Sequence, residues 1–257
     1  MAFDVDAESY DRFMGGWSRL LAPRLLDLAD VRVGQRALDV GCGPGALTAE
    51  LVARLGAGAV AAVDPSEPFV AAARARHPGV DVRQASAEAL PFPDRTFDAA
   101  CAQLVIHFMT DPVAGLREMA RVTLMGGVVA ASVWDFAGGR GPLGPFWESA
   151  REIDPDVEDE SGRAGARANH LGELFAAAGL DRIETTSMAV RRPYATFDEW
   201  WEPFTRGVGP AGAFHSRLAP ADRKRLRERC QSRLPDGPFE LTAHAWVALG
   251  VVKRVRA

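Results

Sequence analysis

Through its first half the sequence alternates short apolar runs with segments of helical period, and this alternation restricts the fold more than any other feature. The runs "RALDV", "AVAAVD", "VDVRQA", "FDAACAQLV" and "GGVVAASVW" read as strands, and the stretches between them as helices. Repeated βαβ units imply a parallel sheet. Near-continuous apolar strands imply helices on both faces, so the expected fold is α/β with a doubly wound sheet. Local signals agree: in "SEPFVAAARAR", Ser66 is placed as N-cap with Glu67 behind it, and Pro78-Gly79 ends the helix.

After Trp134 the pattern breaks. "DFAGGRGPLGPFW" is too rich in Gly and Pro for regular structure, and the acidic "DPDVEDESGR" follows, so residues 136–168 read as an insertion at the carboxyl edge of the sheet. "NHLGELFAAAGL" resumes with Asn169 as N-cap and Gly179 as stop. Strands near Ile183 to Arg191 and Phe239 to Val252 would finish the sheet, with a small helical cover at about 197–234. All 257 residues fit one domain: an N-terminal helical cover (1–30), a core (31–135), the insertion, and a C-terminal part (169–257).

Several function classes conflict with the composition. No apolar run approaches the roughly 20 residues that cross a bilayer, and "MAFDVDAESYDRF" carries acids where a signal peptide needs basic and then apolar residues, so no membrane role and a cytoplasmic location are expected. Cys42, Cys101 and Cys230 are too widely spaced for a disulfide framework or a zinc site. The five histidines show no ligand spacing, so no metal is expected. A net charge of −4 disfavours nucleic acid as partner, and the basic run Arg223 to Arg233 is interrupted by Glu228 and reads as a solvated helix surface. Lys224 and Lys253 are the only lysines among 30 basic residues, a usage that suggests a GC-rich bacterial genome.

The first strand runs into a glycine turn, "ALDVGCGPGALTAE". In an open α/β sheet this turn lies where strand order reverses, the place at which such sheets bind ligands. Gly41, Gly43 and Gly45 let the backbone approach a ligand closely, and Asp64, at the end of the second strand, is placed to accept from both hydroxyls of a ribose. Gly41, Gly43 and Ala46 also satisfy the dinucleotide pattern G-x-G-x-x-G/A. Asp39 argues against a diphosphate by charge repulsion, and Pro44 removes one N–H from any anion cradle. A ligand with a ribose and positive charge, such as S-adenosylmethionine, suits these residues better.

At these residues the sequence resembles the class I S-adenosylmethionine-dependent methyltransferases, in particular the ubiquinone and menaquinone C-methyltransferase-like group. "LDVGCGPG" is similar to motif I of that family, "AVDPSEPFVAAAR" to its ribose-binding segment, and "ASAEALPFPDRTFDAACAQLVIHF" to its adenine segment and fourth strand. The resemblance is strong over Asp39 to Trp134. It implies a Rossmann-like, seven-stranded, mostly parallel sheet with the last strand antiparallel, and release of S-adenosylhomocysteine as product. It also implies a set of cofactor contacts. Asp39, Gly41, Cys42 and Gly43 would hold the methionyl part, Asp64 the ribose, and Pro65 would lie against adenine. Ser86, Ala87 and Glu88 would flank its amine, with Ala102 and Gln103 closing the pocket. "YDRFMGGWSRLLAP" resembles the cofactor-covering helix and offers Tyr10, Met14 and Trp17. Ser86 stands where the family usually has Asp, and Leu124-Met125-Gly126-Gly127 replaces its Lys-Pro-Gly-Gly turn.

The implied reaction moves a methyl group to O, N or C of a small acceptor by in-line displacement, which is favoured in a closed, poorly solvated pocket. Trp200, Trp201, Phe204 and Phe214 of the cover, with Phe136, Phe146 and Trp147 of the insertion, are candidate walls for an apolar or aromatic acceptor. His107, after the fourth strand, is the first candidate base or pocket residue, and Trp134, His170 and His215 are further acceptor candidates. The expected protein is a monomer or homodimer. Two rival readings share the fold: a protein that binds S-adenosylmethionine without methylating, and a nicotinamide-dependent oxidoreductase.

Overall fold

The apolar runs form the strands of one sheet. The computed structural model describes residues 7–253; the first six residues of the expected N-terminal cover, with part of the acidic N-terminus, lie outside the described residues. Strands β1 (Ala37–Val40), β2 (Val60–Asp64), β3 (Asp81–Gln84), β4 (Phe97–Gln103) and β5 (Thr123–Trp134) are parallel. β6 (Asp181–Tyr194) and β7 (Phe239–Val251) complete the order β3-β2-β1-β4-β5-β7-β6, with β7 antiparallel to both its neighbours. Every residue of β1 and β2 is buried, as expected of strands covered on both faces, whereas the edge strand β3 buries only Val82. Strand order reverses between β1 and β4, so their carboxyl ends border the crevice in which the sheet binds ligands.

Helices flank this sheet. α1 (Ala7–Tyr10) leads through a π-helical turn, Asp11–Gly15, into α2 (Gly16–Leu28). The buried Trp17, Leu21, Leu25 and Leu26 of α2 form a stripe at helical spacing. α2 packs on α3 (Ala46–Leu55) and on β4, β5 and β6. α4 (Glu67–Arg76) packs on β2 and β3, while α5 (Pro112–Val122) and α7 (His170–Ala177) pack on each other and on β4 to β7. Asn169 takes the N-cap position of α7 as expected, but with φ 63° and no capping bond from its side chain.

The insertion is more regular than its composition suggests. α6 (Gly144–Arg151) forms within it because Pro145 falls in the first turn, where a missing N–H costs nothing. The cover consists of α8 (Phe197–Thr205), α9 (Gly209–Arg217) and α10 (Pro220–Arg233). Phe146 of α6 stacks on Phe204 of α8 with ring centroids 4.5 Å apart and meets Phe214 of α9 edge-on at 6.2 Å. α10 buries only Leu226 and Cys230, and its arginines pair across the surface, Arg227 with Asp198 and Arg233 with Glu152. The arginine run is thus a solvated helix face tying cover to insertion. No helix among the described residues is long and apolar enough to cross a membrane.

Candidate functional site

The glycine turn after β1 is held by its own amides. Gly41 and Cys42 donate to the Val63 carbonyl at 2.8 and 2.9 Å, Gly43 donates to Asp64 Oδ2 at 2.9 Å, and Gly45 donates to the Cys42 carbonyl at 2.9 Å. Pro44 has no N–H. Every amide from Gly41 to Gly45 is therefore used inside the protein, and the turn lacks the N–H cradle an anion needs. Gly41 and Gly43 both have positive φ, 71° and 53°. A Cβ on Gly41 would come within 2.5 Å of the Val105 side chain, whereas the nearest neighbour of a Cβ on Gly43 would be the Tyr10 ring at 3.9 Å.

The turn borders an outer chamber of about 250 Å³. Tyr10, Gly41, Gly43, Asp64, Pro65, Ser86, Ala87, Glu88 and Gln103 line it, as the sequence leads one to expect, together with Phe69, Leu104, Val105, Phe108, Met109 and Thr110. Asp64 is fixed by two amides, Gly43 on Oδ2 and Ser66 on Oδ1, each at 2.9 Å. Burial raises its pKa, while these two bonds oppose the rise. Glu88 accepts from the Thr110 amide at 2.9 Å and so ties this wall to the segment before α5. Gln103 Nε2 donates to the Ser18 carbonyl at 3.0 Å, and its buried Oε1 has no partner. Burial and the carboxylates of Asp64 and Asp11 keep the Tyr10 phenol neutral.

Five expected cofactor contacts lie elsewhere. Asp39 is 1% exposed beneath the turn, accepts from Thr48 Oγ1 at 2.6 Å, and is pushed up to about 7, chiefly by burial. Its charge is thus partly neutralised near neutral pH, and the consumed amides of the turn exclude a diphosphate better than repulsion from Asp39 does. Cys42 packs in a small separate cluster with Ala62, Val70, Ala73 and Val82 because the turn directs it away from the chamber. Trp17 is a core residue: its Nε1 donates to the Tyr194 hydroxyl at 3.1 Å, and its ring meets Trp134 edge-on. Ala102 is fully buried within β4. Met14 borders the neighbouring chamber instead.

The second, inner chamber is narrow, with about 30 Å³ of free space as its side chains stand, and shares Tyr10, Leu104 and Phe108 with the outer one. Phe13, Met14, Phe136, Leu143, Val208, Gly209 and Pro210 make most of its wall apolar, and His107, Trp134 and Glu160 add the polar groups. His107 Nδ1 and Trp134 Nε1 are buried without partners, and Ser132 Oγ, two residues before Trp134, is a third such atom. Unpartnered buried polar atoms are costly, and their gathering at the ends of β4 and β5 marks a place where a bound molecule would supply the missing bonds. Burial and the Arg163 cation push His107 down to about 3, so its imidazole is neutral at physiological pH and a weak proton acceptor. Its ring lines the chamber wall.

The other expected acceptor residues are not brought to this chamber. Trp201 and Phe204 belong to the aromatic core under the cover, with Phe146. His215 packs edge-on against Trp201 at 5.5 Å. His170 Nδ1 accepts from the Gly165 amide at 3.2 Å at the start of α7. The cover reaches the chamber instead through Val208, Gly209 and Pro210, at the turn between α8 and α9. Two chamber residues carry no local sequence signal. Leu104 has φ 61°, a strained conformation for a bulky residue, held by its amide bond to Ser132 O at 2.8 Å. Glu160 lies in the acidic loop and is buried only because Trp147 of α6 donates to it at 3.2 Å.

Comparison with known proteins places this geometry. The profile of the methyltransferase domain matches residues 38–131. An aklanonic acid methyltransferase of Streptomyces sp. strain C5 is 30% identical over 150 residues, covering 56% of this chain and 68% of that protein. A malonyl-[acyl-carrier protein] O-methyltransferase of Erwinia billingiae is 36% identical over 131 residues, 51% of each chain, so this chain spans about half the length of that relative. Among solved structures, a Haemonchus contortus phosphoethanolamine N-methyltransferase in complex with S-adenosylhomocysteine superposes with a TM-score of 0.59 at 20% identity, covering 97% of this chain and 57% of that one, a likeness of fold. With the seven-stranded order, the glycine turn after β1 and the acid after β2, these matches show that the chain belongs to the class I S-adenosylmethionine-dependent methyltransferases.

Proposed function

We propose that the protein transfers a methyl group from S-adenosylmethionine to a small apolar or aromatic acceptor, with the donor in the outer chamber and the acceptor in the inner one. The observation that carries this reading is the shared wall: Tyr10, Leu104 and Phe108 border both chambers, one polar at its rim and one apolar. S-adenosylmethionine, when bound, supplies an electrophilic methyl carbon on a positive sulfur. The chain's residues fit such a ligand. Asp64, held by two amides, keeps further lone pairs for ribose hydroxyls, while Pro65, Phe69 and Ala87 provide an apolar slot for a base. The unpartnered Gln103 Oε1 suits an ammonium.

The protein's main contribution to rate is placement and dryness. Holding an acceptor against the wall shared by the chambers converts a bimolecular displacement into an oriented one, worth about 7–11 kcal/mol at best. The apolar inner wall keeps water from competing for the methyl group. Calorimetry and thermal unfolding with S-adenosylmethionine, S-adenosylhomocysteine and NADH test this reading. At 100 times its Kd, S-adenosylhomocysteine should stabilise the fold by about 2.7 kcal/mol. That amounts to a rise in Tm on the order of 5–10 °C. Tight NADH binding without S-adenosylhomocysteine binding would overturn it.

A further inference from the structure

We propose that Glu160 is the proton acceptor of the methylation, and that the acceptor molecule is an apolar ring system carrying an ionisable hydroxyl or enol. This rests on the reading that the inner chamber seats the methyl acceptor. Glu160 is the one carboxylate lining that chamber, is 3% exposed, and is oriented by the Trp147 indole, which donates to its Oε2 at 3.2 Å. It also borders a separate, more polar pocket lined by Glu148, Arg151 and Asp159. A group in that position can take a proton from a molecule in the inner chamber and pass it toward the Arg151 and Asp159 side.

The other polar atoms of the chamber complement this role. Trp134 Nε1–H is a donor with no protein partner, so the molecule that fits presents a carbonyl or similar oxygen to it as well as a hydroxyl to Glu160. In the step itself, a lone pair on the acceptor oxygen forms the bond to the methyl carbon. The carbon–sulfur pair stays on sulfur, giving a neutral thioether, and the hydroxyl proton passes to the Glu160 carboxylate.

The electrostatic setting agrees with the geometry. Burial pushes Glu160 up to about 7; the Trp147 bond and the Arg163 cation oppose the rise, and Asp159 adds to it. His107 shares the chamber wall with it, and Glu148, Arg151 and Asp159 share the adjoining pocket, where Arg151 is paired with Asp159. A carboxylate poised near neutrality is suited to general base work, whereas the neutral His107 is not.

The test uses 1-naphthol as probe and 1-methoxynaphthalene as its hydroxyl-free control, titrated into the full chain with saturating S-adenosylhomocysteine between about pH 5.5 and 8.5. Naphthol should bind about tenfold more tightly above pH 7 than below, because its hydroxyl then donates to an ionised carboxylate. The control should show no pH dependence. Glu160→Gln keeps the side-chain volume and an oxygen for Trp147, and should abolish the pH dependence while leaving S-adenosylhomocysteine affinity unchanged. Trp147→Phe keeps the carboxylate but removes its donor, and should move the naphthol midpoint to higher pH. The assignment is overturned by naphthol binding that is absent or independent of pH, by the same profile in Glu160→Gln, or by an unmoved midpoint in Trp147→Phe. Failure of S-adenosylhomocysteine to bind the unaltered protein overturns the methyl-transfer reading itself.

Discussion

His107 shows how burial redirects a residue that looks catalytic in one dimension. A histidine after the fourth strand of such a sheet is a natural candidate base, and removal of a working base costs about 10²–10⁴-fold in rate. Here the ring is 7% exposed, packs 5.4 Å from Phe136, and is driven down to about 3 by burial and Arg163. His107→Ala is therefore expected to lower kcat/KM by only about tenfold, through lost packing and orientation, with an unchanged pH profile between pH 6 and 8. A loss of 10²-fold or more that follows a single ionisation would restore the histidine as base. Asp39 teaches the complementary lesson. Asp39→Lys would force a long cation into a strand that is buried throughout, so loss of binding in that variant would report loss of the fold. Asp39→Asn, which can still accept from Thr48, isolates the charge.

At the scale of elements, the glycine turn separates a glycine packed tightly against a side chain from one with open space beside it. Both positions are left-handed, so an alanine at either costs about 1 kcal/mol in backbone strain alone. At Gly41 the new methyl also meets Val105 at 2.5 Å, so Gly41→Ala should lower Tm well beyond that strain. At Gly43 the space is open toward Tyr10. Gly43→Ala should fold with a small loss of Tm and bind S-adenosylhomocysteine about tenfold more weakly; equal affinity in calorimetry would place the ligand away from the turn. In the cover, Phe146→Ala removes the ring around which α6, α8 and α9 pack. The expected loss in urea unfolding is about 3–5 kcal/mol.

Across the whole molecule, the two buried carboxyls Asp39 and Glu160 give stability a distinctive dependence on pH. Both are raised to about 7 in the folded state, so between their unfolded values near 4 and about pH 7 the folded state binds more protons than the unfolded one. On their account stability falls as pH rises through that window and levels off above it. Asp39 alone contributes up to about 4 kcal/mol of this change. His107, lowered to about 3, and His77 and His215, also lowered, act in the opposite sense up to about pH 6.5, because the unfolded chain protonates them there. Urea midpoints measured from pH 4.5 to 8 should therefore rise more, or fall less, with pH in Asp39→Asn than in the wild type. Parallel profiles in the two proteins would contradict the burial-driven shift of Asp39. Because Glu160 lines the proposed acceptor chamber, bound ligand is expected to alter this profile as well.

The sheet was legible from residue order because strand and helix periods are local properties: "RALDV" to "GGVVAASVW" became β1 to β5, and the last strand took the antiparallel place. Asp64, the glycine turn and the adenine-side residues were legible for the same reason, since each sits at a fixed offset from a strand end. Orientation and burial were not. Whether Asp39 faces a ligand or Thr48, whether Trp17 covers a cofactor or fills the core, and whether Trp201 and Phe204 line a chamber or lie beneath one depend on contacts between segments distant in the chain. Glu160 is the clearest case. Within "DPDVEDESGR" it is one acid among several, and only the folding of α6 across the insertion sets an indole against it, removes it from water and moves its proton affinity into the neutral range.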